Sequence, residues 1–486
     1  MAVDSWYYDC SIHICESGDS LKTSIIIITK NNIEYTKLCI ESIWRYTEQG
    51  TYEIVVVDNG SDDETRAWLH KQTDLITIYN EYNEGFPRAC NQGIRVSTGD
   101  SILLLNNDVI VTRNWLINLR ECLYSSYDIG AVGPVSNSVS YYQAIPVRYT
   151  TVEEMQEFAA DYNAASIRTE FRVRLIGFCM LIRREVIERI GLLDERFSPG
   201  NFEDDDYSIR IVGAGYRLAL CRNTFVHHFG SSSFKKNASE FNHLLEVNRM
   251  KFRDKWSFDS HNATQIRFGL IDLIEENADQ PICVLELNCG CGATLLEMKT
   301  RYPQAELYGI DQNVSVVSIA QKFATVRVGA LEILKNFPDN FFDYIIVADV
   351  LEYAASPKNE LLDIAMKLRN QGSILLSVPN VAHYYVLKNL LNGRWSYNEL
   401  DDPGRKQCNF FTIINLQELM ESTGFKISEL RGTTLQLAPD DQVMVQKLQA
   451  ITNISETMQI HANQLLVKAI CEKNDKPVVA YPENQV

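Results

Sequence analysis

The stretch Asn201–Phe234, NFEDDDYSIRIVGAGYRLALCRNTFVHHFGSSSF, sets four consecutive acids, Glu203 to Asp206, at the head of a helical pattern. It then runs through an apolar strand pattern into two histidines and a serine cluster. Mutual repulsion makes four adjacent carboxylates costly to fold around unless a cation or a proton-transfer task holds them. That is chemistry only if the chain upstream builds a nucleotide pocket, and the upstream residues read that way. Ser24–Thr29, SIIIIT, is a short continuous apolar run, as expected of a strand buried on both faces. IEYTKLCIESIWRYT reads as a helix, and Glu53–Val57 as a second strand ending at Asp58. Asp62, Asp63 and Glu64 place acids where a helix N-terminus welcomes them. ITIYN, PRACNQGIRVS and SILLLNND continue the alternation. Strands alternating with helices predict an α/β domain with a mostly parallel sheet and ligands at the carboxyl ends of its strands.

Those strand ends carry Thr29, Lys30 and Asn31, then Asp58, then Asn106, Asn107 and Asp108. Singly, each is an ordinary turn or cap residue. At successive strand ends they describe one shared pocket. An acid placed like Asp58 can accept hydrogen bonds from a ribose or base, and one at a strand tip like Asp108 can hold a divalent cation that neutralises a diphosphate. The plain readings stand beside these: Asp205 and Asp206 can cap the helix and pair with Arg210, His228 can be a surface histidine, and Gly177–Leu181 (GFCML) reads as a buried strand.

At 486 residues and 45% hydrophobic content the chain can bury two or three cores. Acids exceed bases by 17, which argues against nucleic acid as a partner. The 12 cysteines show no paired CxxC spacing of a zinc site and read as reduced thiols. The first residues lack a signal-peptide pattern, and no apolar run approaches the roughly 20 residues of a membrane span. A cytoplasmic location is expected, with peripheral contact to a membrane-bound acceptor left open.

From Ser24 to about Phe234 the chain resembles the family 2 glycosyltransferases of the GT-A fold. The pieces that carry the resemblance are SIIIITKNN, EIVVVDNGSDDET, NEGFPRACNQGI, ILLLNNDV, GFCMLIRREVIERIGLLDERF, FEDDDYSIRIVGAGYRL and FVHHFGSSSF. The resemblance implies inverting transfer of a sugar from a nucleotide diphosphate donor, UDP- or dTDP-linked, to an acceptor hydroxyl of a glycan or protein, assisted by Mn2+ or Mg2+. Carried over by position, Asp58 contacts the nucleoside, and Thr29 and Asn31 line its pocket. Asn83, Gly85, Phe86 and Asn91 shape the loop and helix beside the donor. Asn107 and Asp108 fill the metal motif, with one acid where many relatives have two. His227 is the further metal or diphosphate contact, ahead of His228. Glu203 and Asp204 match the acidic pair whose aspartate is the general base, so Asp204 takes that role. Gly177 and Phe178 approach the acceptor side.

Lys235 to about Gln280 is polar and helix-prone and reads as a connector. ICVLELNCGCGATLLEM then gives a strand, a glycine turn and a helix, AELYGIDQN a strand ending in Asp311, and FDYIIVADVLEY and GSILLSVPNV two more strands. A glycine turn followed by an acid after the next strand fits a nucleoside-type cofactor, and a dinucleotide fold reads much the same. From Val284 to about Ile427 the chain also resembles the class I S-adenosylmethionine-dependent methyltransferases, on VLELNCGCG, GIDQN, FDYIIVADVLEYAASP and NFFTIINLQELMESTGF. Glu286, Gly290, Gly292 and Asp311 carry over as contacts of S-adenosylmethionine. Asn288 stands for the family's first glycine, Ala330 for an acid, Tyr353 for a histidine, and DPGRKQCNFFT lacks a histidine. Two readings stay open: a bifunctional enzyme, or a second half that is a non-catalytic binding or assembly module.

KISELRGTTL is expected to complete the second sheet. Val443–Ile470 reads as a helix on the recurrence of Met444, Leu448, Ile451, Met458 and Leu465, usually a core face and otherwise a route to a homo-oligomer. The expected organisation is two doubly wound α/β domains. Residues 1–22 form an extension, 23–235 a GT-A domain, 236–280 a helical connector, 281–440 a Rossmann-like methyltransferase domain, 441–474 a C-terminal helix and 475–486 a tail.

Overall fold

Ile25, Ile26 and Ile27 lie in parallel register with Ile54, Val55 and Val56, all but removed from water. Such side chains contribute about 1.5–3 kcal/mol each when fully buried, so this pair of strands anchors the first sheet. The computed structural model describes residues 21–166, 168–230, 238–395, 407–434, 437, 439–451 and 458–473. The extension 1–20, the Ser231–Phe234 end of the opening stretch and the tail from 475 lie outside them. The chain divides into two units, Met1–Ser260 and His261–Val486.

Among the described residues the first unit has nine strands: β1 Thr23–Thr29, β2 Tyr52–Asp58, β3 Leu75–Tyr79, β4 Ser101–Asn106, β5 Val109–Ile110, β6 Ile129–Ser136, β7 Thr169–Arg172, β8 Cys179–Arg183 and β9 Arg217–His228. Their order is β3-β2-β1-β4-β8-β6-β9-β5, with β7 paired to β9. The expected parallel character holds for β3-β2-β1-β4. Beyond β4 the sheet is mixed, because β8 enters antiparallel between β4 and β6. Register sets Thr29 beside Asp58, and Ile28 beside Asn106, so Thr29, Asp58 and Asn106 lie at the same carboxyl-terminal end of neighbouring strands.

The segment expected as a connector begins inside the first unit. Along the helix Ala238–Trp256, Phe252 is fully buried and the Asn248 amide donates to the carbonyls of Phe197 and Gly200, both at 2.8 Å.

In the second unit β10 Cys283–Leu287, β11 Glu306–Asp311, β12 Thr325–Val328, β13 Phe342–Ala348, β14 Leu368–Pro379, β15 Phe425–Thr434 and β16 Ala462–Cys471 form a sheet of order β12-β11-β10-β13-β14-β16-β15. The first five are parallel, and β16 runs antiparallel to both of its neighbours. This corrects the expected helix over Val443–Ile470. A helix covers Pro439–Ile451 and a single turn Met458–His461, after which the chain becomes β16. Leu465, Val467 and Ala469 face one apolar core and Leu466 the other. An apolar run buried on two sides does not declare itself helix or strand by periodicity alone. Val445 and Leu448 of the real helix pack with Tyr384 and Ile460, as a core face should.

Candidate active site

The helix Glu203–Gly213 starts abruptly because Asn201 and Phe202 both take the left-handed conformation, φ 75° and 72°. All four acids fall in its first turn, and their surroundings sort them. Asp205 receives the Arg174 guanidinium at 2.9 and 3.0 Å and the Ser260 hydroxyl at 2.6 Å. Asp206, wholly buried, is held by Arg210 at 3.0 Å, Lys255 at 2.6 Å and the Trp256 indole N–H at 2.8 Å. Glu203 is buried with Oε2 unpartnered, and burial together with the Asp204 charge pushes its carboxyl well above the ordinary range. Asp204 stays half-buried, and among the described residues its oxygens accept from backbone alone: Oδ2 from Gly177 N–H and Oδ1 from Asp205 N–H, both at 2.9 Å. Burial, then the Asp205 charge, pushes its carboxyl up to about 6. A Cβ at Gly177 would come within 3.0 Å of the Asp204 Cβ, so glycine there permits the approach.

At the end of β9, pairing with β5 sets His228 opposite Val109 and His227 opposite Ile110. His228 Nδ1 lies 2.6 Å from the Ser138 carbonyl, which can only accept, so Nδ1 carries the hydrogen. Nε2 is then turned toward Asp108 Oδ1 at 3.2 Å. Burial opposes charging this imidazole, but the Asp108 carboxylate prevails and raises its pKa. His227 instead shares a 2.7 Å hydrogen bond with the Tyr149 hydroxyl, and burial with the neighbouring His228 pulls it down to about 4. The structure thus sets His228, not His227, against Asp108. Among the described residues no group of three or more His, Cys, Asp or Glu side chains is arranged around a metal position.

One loop joins the two ends. Asn137 exchanges hydrogen bonds with the His228 backbone at 2.9 and 3.1 Å, and Ser138 holds its ring. A few residues on, the Tyr142 hydroxyl donates to the Arg174 carbonyl, and Gln143 Oε1 accepts from Ile176 N–H at 2.7 Å. Phe178, next to Gly177, packs its ring 5.2 Å from that of His228.

The remaining residues of the expected donor pocket are largely braced within the fold. Asn107 donates to Thr36 at 3.0 Å and Thr29 at 3.3 Å. Asp58 is fully buried, with Arg66 Nε at 2.7 Å on Oδ2 and Ser61 N–H at 3.1 Å on Oδ1. Asn31, left-handed at φ 58°, accepts Asp62 N–H at 2.9 Å. Asn83 accepts from Asn59 at 2.8 Å and from Gly85 N–H at 3.0 Å. Gly85 has φ 85° and lies where a Cβ would meet Ser198 Oγ at 2.7 Å, and Phe86 N–H donates to the Pro199 carbonyl at 2.8 Å. Asn91 spends its whole amide on Leu193 and Glu195, joining two distant parts of the chain.

In the second unit, Asp311 at the end of β11 accepts Gly290 N–H and Asn313 N–H, both at 2.9 Å. Glu286 is buried with Oε2 unpartnered, and burial lifts its carboxyl to about 8. Gly290 and Gly292 have φ 53° and 75°, and a Cβ on Gly290 would strike the Ala263 carbonyl at 2.6 Å. Asn288 is also left-handed, φ 57°, the conformation a glycine would take there without cost.

Sequence reasoning passed over Arg174, Arg66 and Arg267, which pairs with Asp349 at 2.7 Å. The signal for Arg174 was present: a charge inside the apolar run FRVRLIGFCML demands a buried partner.

Residues 24–191 match the family model "Glycosyl transferase family 2", and residues 258–430 match "Methyltransferase domain". The O-antigen biosynthesis protein RfbC of Myxococcus xanthus is 26% identical over 233 residues, 45% of this chain and 18% of that protein. The low-salt glycan biosynthesis hexosyltransferase Agl10 of Haloferax volcanii is 30% identical over 260 residues, 52% of this chain and 81% of the relative. The ubiquinone biosynthesis O-methyltransferase of Rickettsia bellii is 22% identical over 192 residues, 38% of this chain and 79% of the relative. The chain spans 18% and 24% of the lengths of the first two curated relatives it matches. By its first unit the chain belongs to glycosyl transferase family 2, and residues 258–430 resemble a methyltransferase domain.

Proposed function

We propose that the first unit is an inverting, metal-assisted glycosyltransferase that moves a sugar from a UDP- or dTDP-sugar to a hydroxyl of a surface glycan or protein. The observation that carries this is the sorting of the four acids. Asp205 and Asp206 are neutralised by basic partners, whereas Asp204 is half-open, held only by backbone, and lifted to about 6. A carboxylate with that affinity for a proton suits a general base near neutral pH. In the reaction the acceptor oxygen bonds to the anomeric carbon, the bond from that carbon to the diphosphate breaks, and the hydroxyl proton passes to Asp204. Glu203 is buried, and burial with the Asp204 charge disfavours a second negative charge beside the base.

Asp108 and His228 would hold a divalent cation in place of their ion pair: with Nδ1 committed to Ser138, Nε2 becomes a ligand atom 3.2 Å from Asp108 Oδ1 once it gives up its proton. Mg2+ and its analogues commonly take one or two protein ligands and complete their shell with water and substrate phosphate. When bound, the ion offsets charge on the departing diphosphate. Thr29, Asn31 and Asp58 would line the nucleoside, with Asn83, Gly85, Phe86, Asn91 and Asn107 giving the pocket its shape. A glycan acceptor is supported by the two relatives named for O-antigen and glycan biosynthesis. Among the described residues no helix is long and apolar enough to cross a membrane, in keeping with work on the cytoplasmic side or at a membrane surface.

Transfer and donor hydrolysis across a panel of UDP- and dTDP-sugars with Mn2+ or Mg2+ test this reading. Asp204→Asn should lower turnover by about 10² to 10⁴ while UDP or dTDP binding persists. Near-native turnover by that variant would remove Asp204 from the mechanism.

A second reading concerns the second unit, and the orphaned Glu286 oxygen favours it. The residues fit S-adenosylmethionine: Asp311 keeps lone pairs for ribose hydroxyls beyond its two backbone donors, and Glu286 has an unused acceptor. That cofactor would supply a methyl group, making the chain bifunctional. Calorimetric titration with S-adenosylhomocysteine should show micromolar binding that Asp311→Ala weakens at least tenfold. Absence of binding in protein that still binds UDP or dTDP leaves a non-catalytic second unit.

A further inference from the structure

Asn248 is wholly buried on the helix Ala238–Trp256, and the chemistry proposed above gives it no task. Lys251 donates to its Oδ1 at 2.8 Å, and an ammonium can only donate, so the amide N–H2 is turned the other way. That nitrogen reaches the carbonyls of Phe197 and Gly200 at 2.8 Å and of Asn201 at 3.3 Å. In the same loop the Ser198 carbonyl accepts from Lys251 at 3.4 Å and the Pro199 carbonyl from Phe86 N–H at 2.8 Å. Every carbonyl from Phe197 to Asn201 is thus taken, three of the five by one side chain. The backbone they hold is demanding. Asn201 and Phe202 are both left-handed, a conformation that persists in such residues only where the surroundings enforce it. The Phe202 carbonyl then accepts Asp206 N–H at 3.0 Å and opens the acid helix, with Asp204 in its first turn. One turn or two along the same helix from Asn248, Lys255 and the Trp256 indole hold Asp206 from the other side.

We propose that Asn248 is a positioning residue for the transfer reaction: by holding the carbonyls of the Phe197–Asn201 loop it fixes where the acid helix begins, and so where Asp204 stands. The inference rests on the reading of Asp204 as general base and adds to it a residue far from the acids in sequence. Asn248 acts through backbone, not by contact with the base. Without its two N–H donors the buried carbonyls lose their partners, and the left-handed turn relaxes to recover them. A base works only from the right distance, and a displacement of about 1 Å can cost about 10²-fold in rate. The loop also carries Pro199, on which the donor-side residue Phe86 is hung, so the entry to the acid helix and the Gly85–Phe86 turn share one support.

The test uses the full chain and the nucleotide sugar that the panel identifies. It reads kcat for donor hydrolysis, in which water takes the acceptor's place and gives its proton to Asp204, together with UDP or dTDP affinity and the pH–rate profile. Asn248→Ala and Asn248→Asp, the second keeping the side chain's shape without its N–H2, should lower kcat by roughly 10 to 10²-fold. Nucleotide affinity should stay within about threefold of wild type, because Thr29 and Asp58 close β1 and β2, away from this loop. Asp204 faces the charges of Glu203 and Asp205 on its own helix and of Arg174 from the segment after β7. Burial is the chief cause that lifts it to about 6, so a displaced Asp204 should carry the acid limb of the profile down toward about 4. Lys251→Met loosens the amide from a half-exposed position and should give the same changes at a smaller size, about threefold in kcat, even where the Asn248 variants fail to fold. Native kcat and an unmoved acid limb in any folded Asn248 variant, with only thermal stability lost, make Asn248 a residue of the fold alone and overturn the proposal. Asn248 variants that do not fold beside a native Lys251→Met overturn it as well, and so does lost nucleotide affinity at unchanged kcat. Near-native turnover in Asp204→Asn overturns the base itself and takes this inference with it, a result distinct from the others.

Discussion

Asp204, Asp205 and Asp206 are identical in side chain and consecutive in sequence, and what separates them arrives from far away. Arg174 and Ser260 reach Asp205, and Lys255 and Trp256 reach Asp206. Sequence reasoning could place the acids at a helix start and pick Asp204 by resemblance, but could not see these partners. The resemblance favours His227, whereas the pairing of β9 with β5 and the Ser138 carbonyl turn His228 toward Asp108. The setting of Asp204 has a kinetic signature. Its folded pKa is raised to about 6, so the base is competent above that pH and is progressively protonated below it. We expect kcat/KM for the acceptor to fall roughly tenfold per pH unit below an inflection near pH 6, read from a pH–rate profile. An acid limb near the usual aspartate value of about 4 would assign the proton acceptor elsewhere.

At the level of elements, the alternation of strand and helix up to β4 was legible because each strand is a short apolar run closed by polar residues, as in SIIIIT ending at Thr29 and EIVVV ending at Asp58. β8 was legible as a strand but not as antiparallel, since its direction depends on pairing with β4 and β6. β16 was misread because its residues face two cores at once. Its position makes it indispensable: β14 and β15 meet only through it. Ending the chain after His461 deletes Leu465, Val467 and Ala469, all fully buried, from a domain whose net stability is on the order of 5–15 kcal/mol. We expect the truncated protein to lose the second unit's cooperative unfolding transition by circular dichroism while the first unit's remains. Retention of both transitions would show that β14 and β15 find another partner.

For the whole molecule, the two units carry separate apolar cores, one built on β1, β2 and β4, the others on β10, β13 and β14. Separate cores, with a different ligand proposed for each unit, predict two independently tunable stabilities. UDP or dTDP with Mn2+ at about 100 times its Kd should stabilise one unfolding transition by roughly 2.7 kcal/mol and leave the other in place, and S-adenosylhomocysteine should do the reverse. Differential scanning calorimetry reads both, and a single ligand moving both transitions equally would contradict independence. The arrangement of β16 also bears on how the protein is made. The first unit's residues have all left the ribosome before those of the second unit emerge, so the glycosyltransferase unit can mature on the nascent chain. In the second unit β16, which pairs with both β14 and β15, is made after them. Between the appearance of Pro379 and Ala462, at ~5–20 residues per second, β14 waits with an open edge for roughly 4–16 s. An unpaired strand edge recruits other chains.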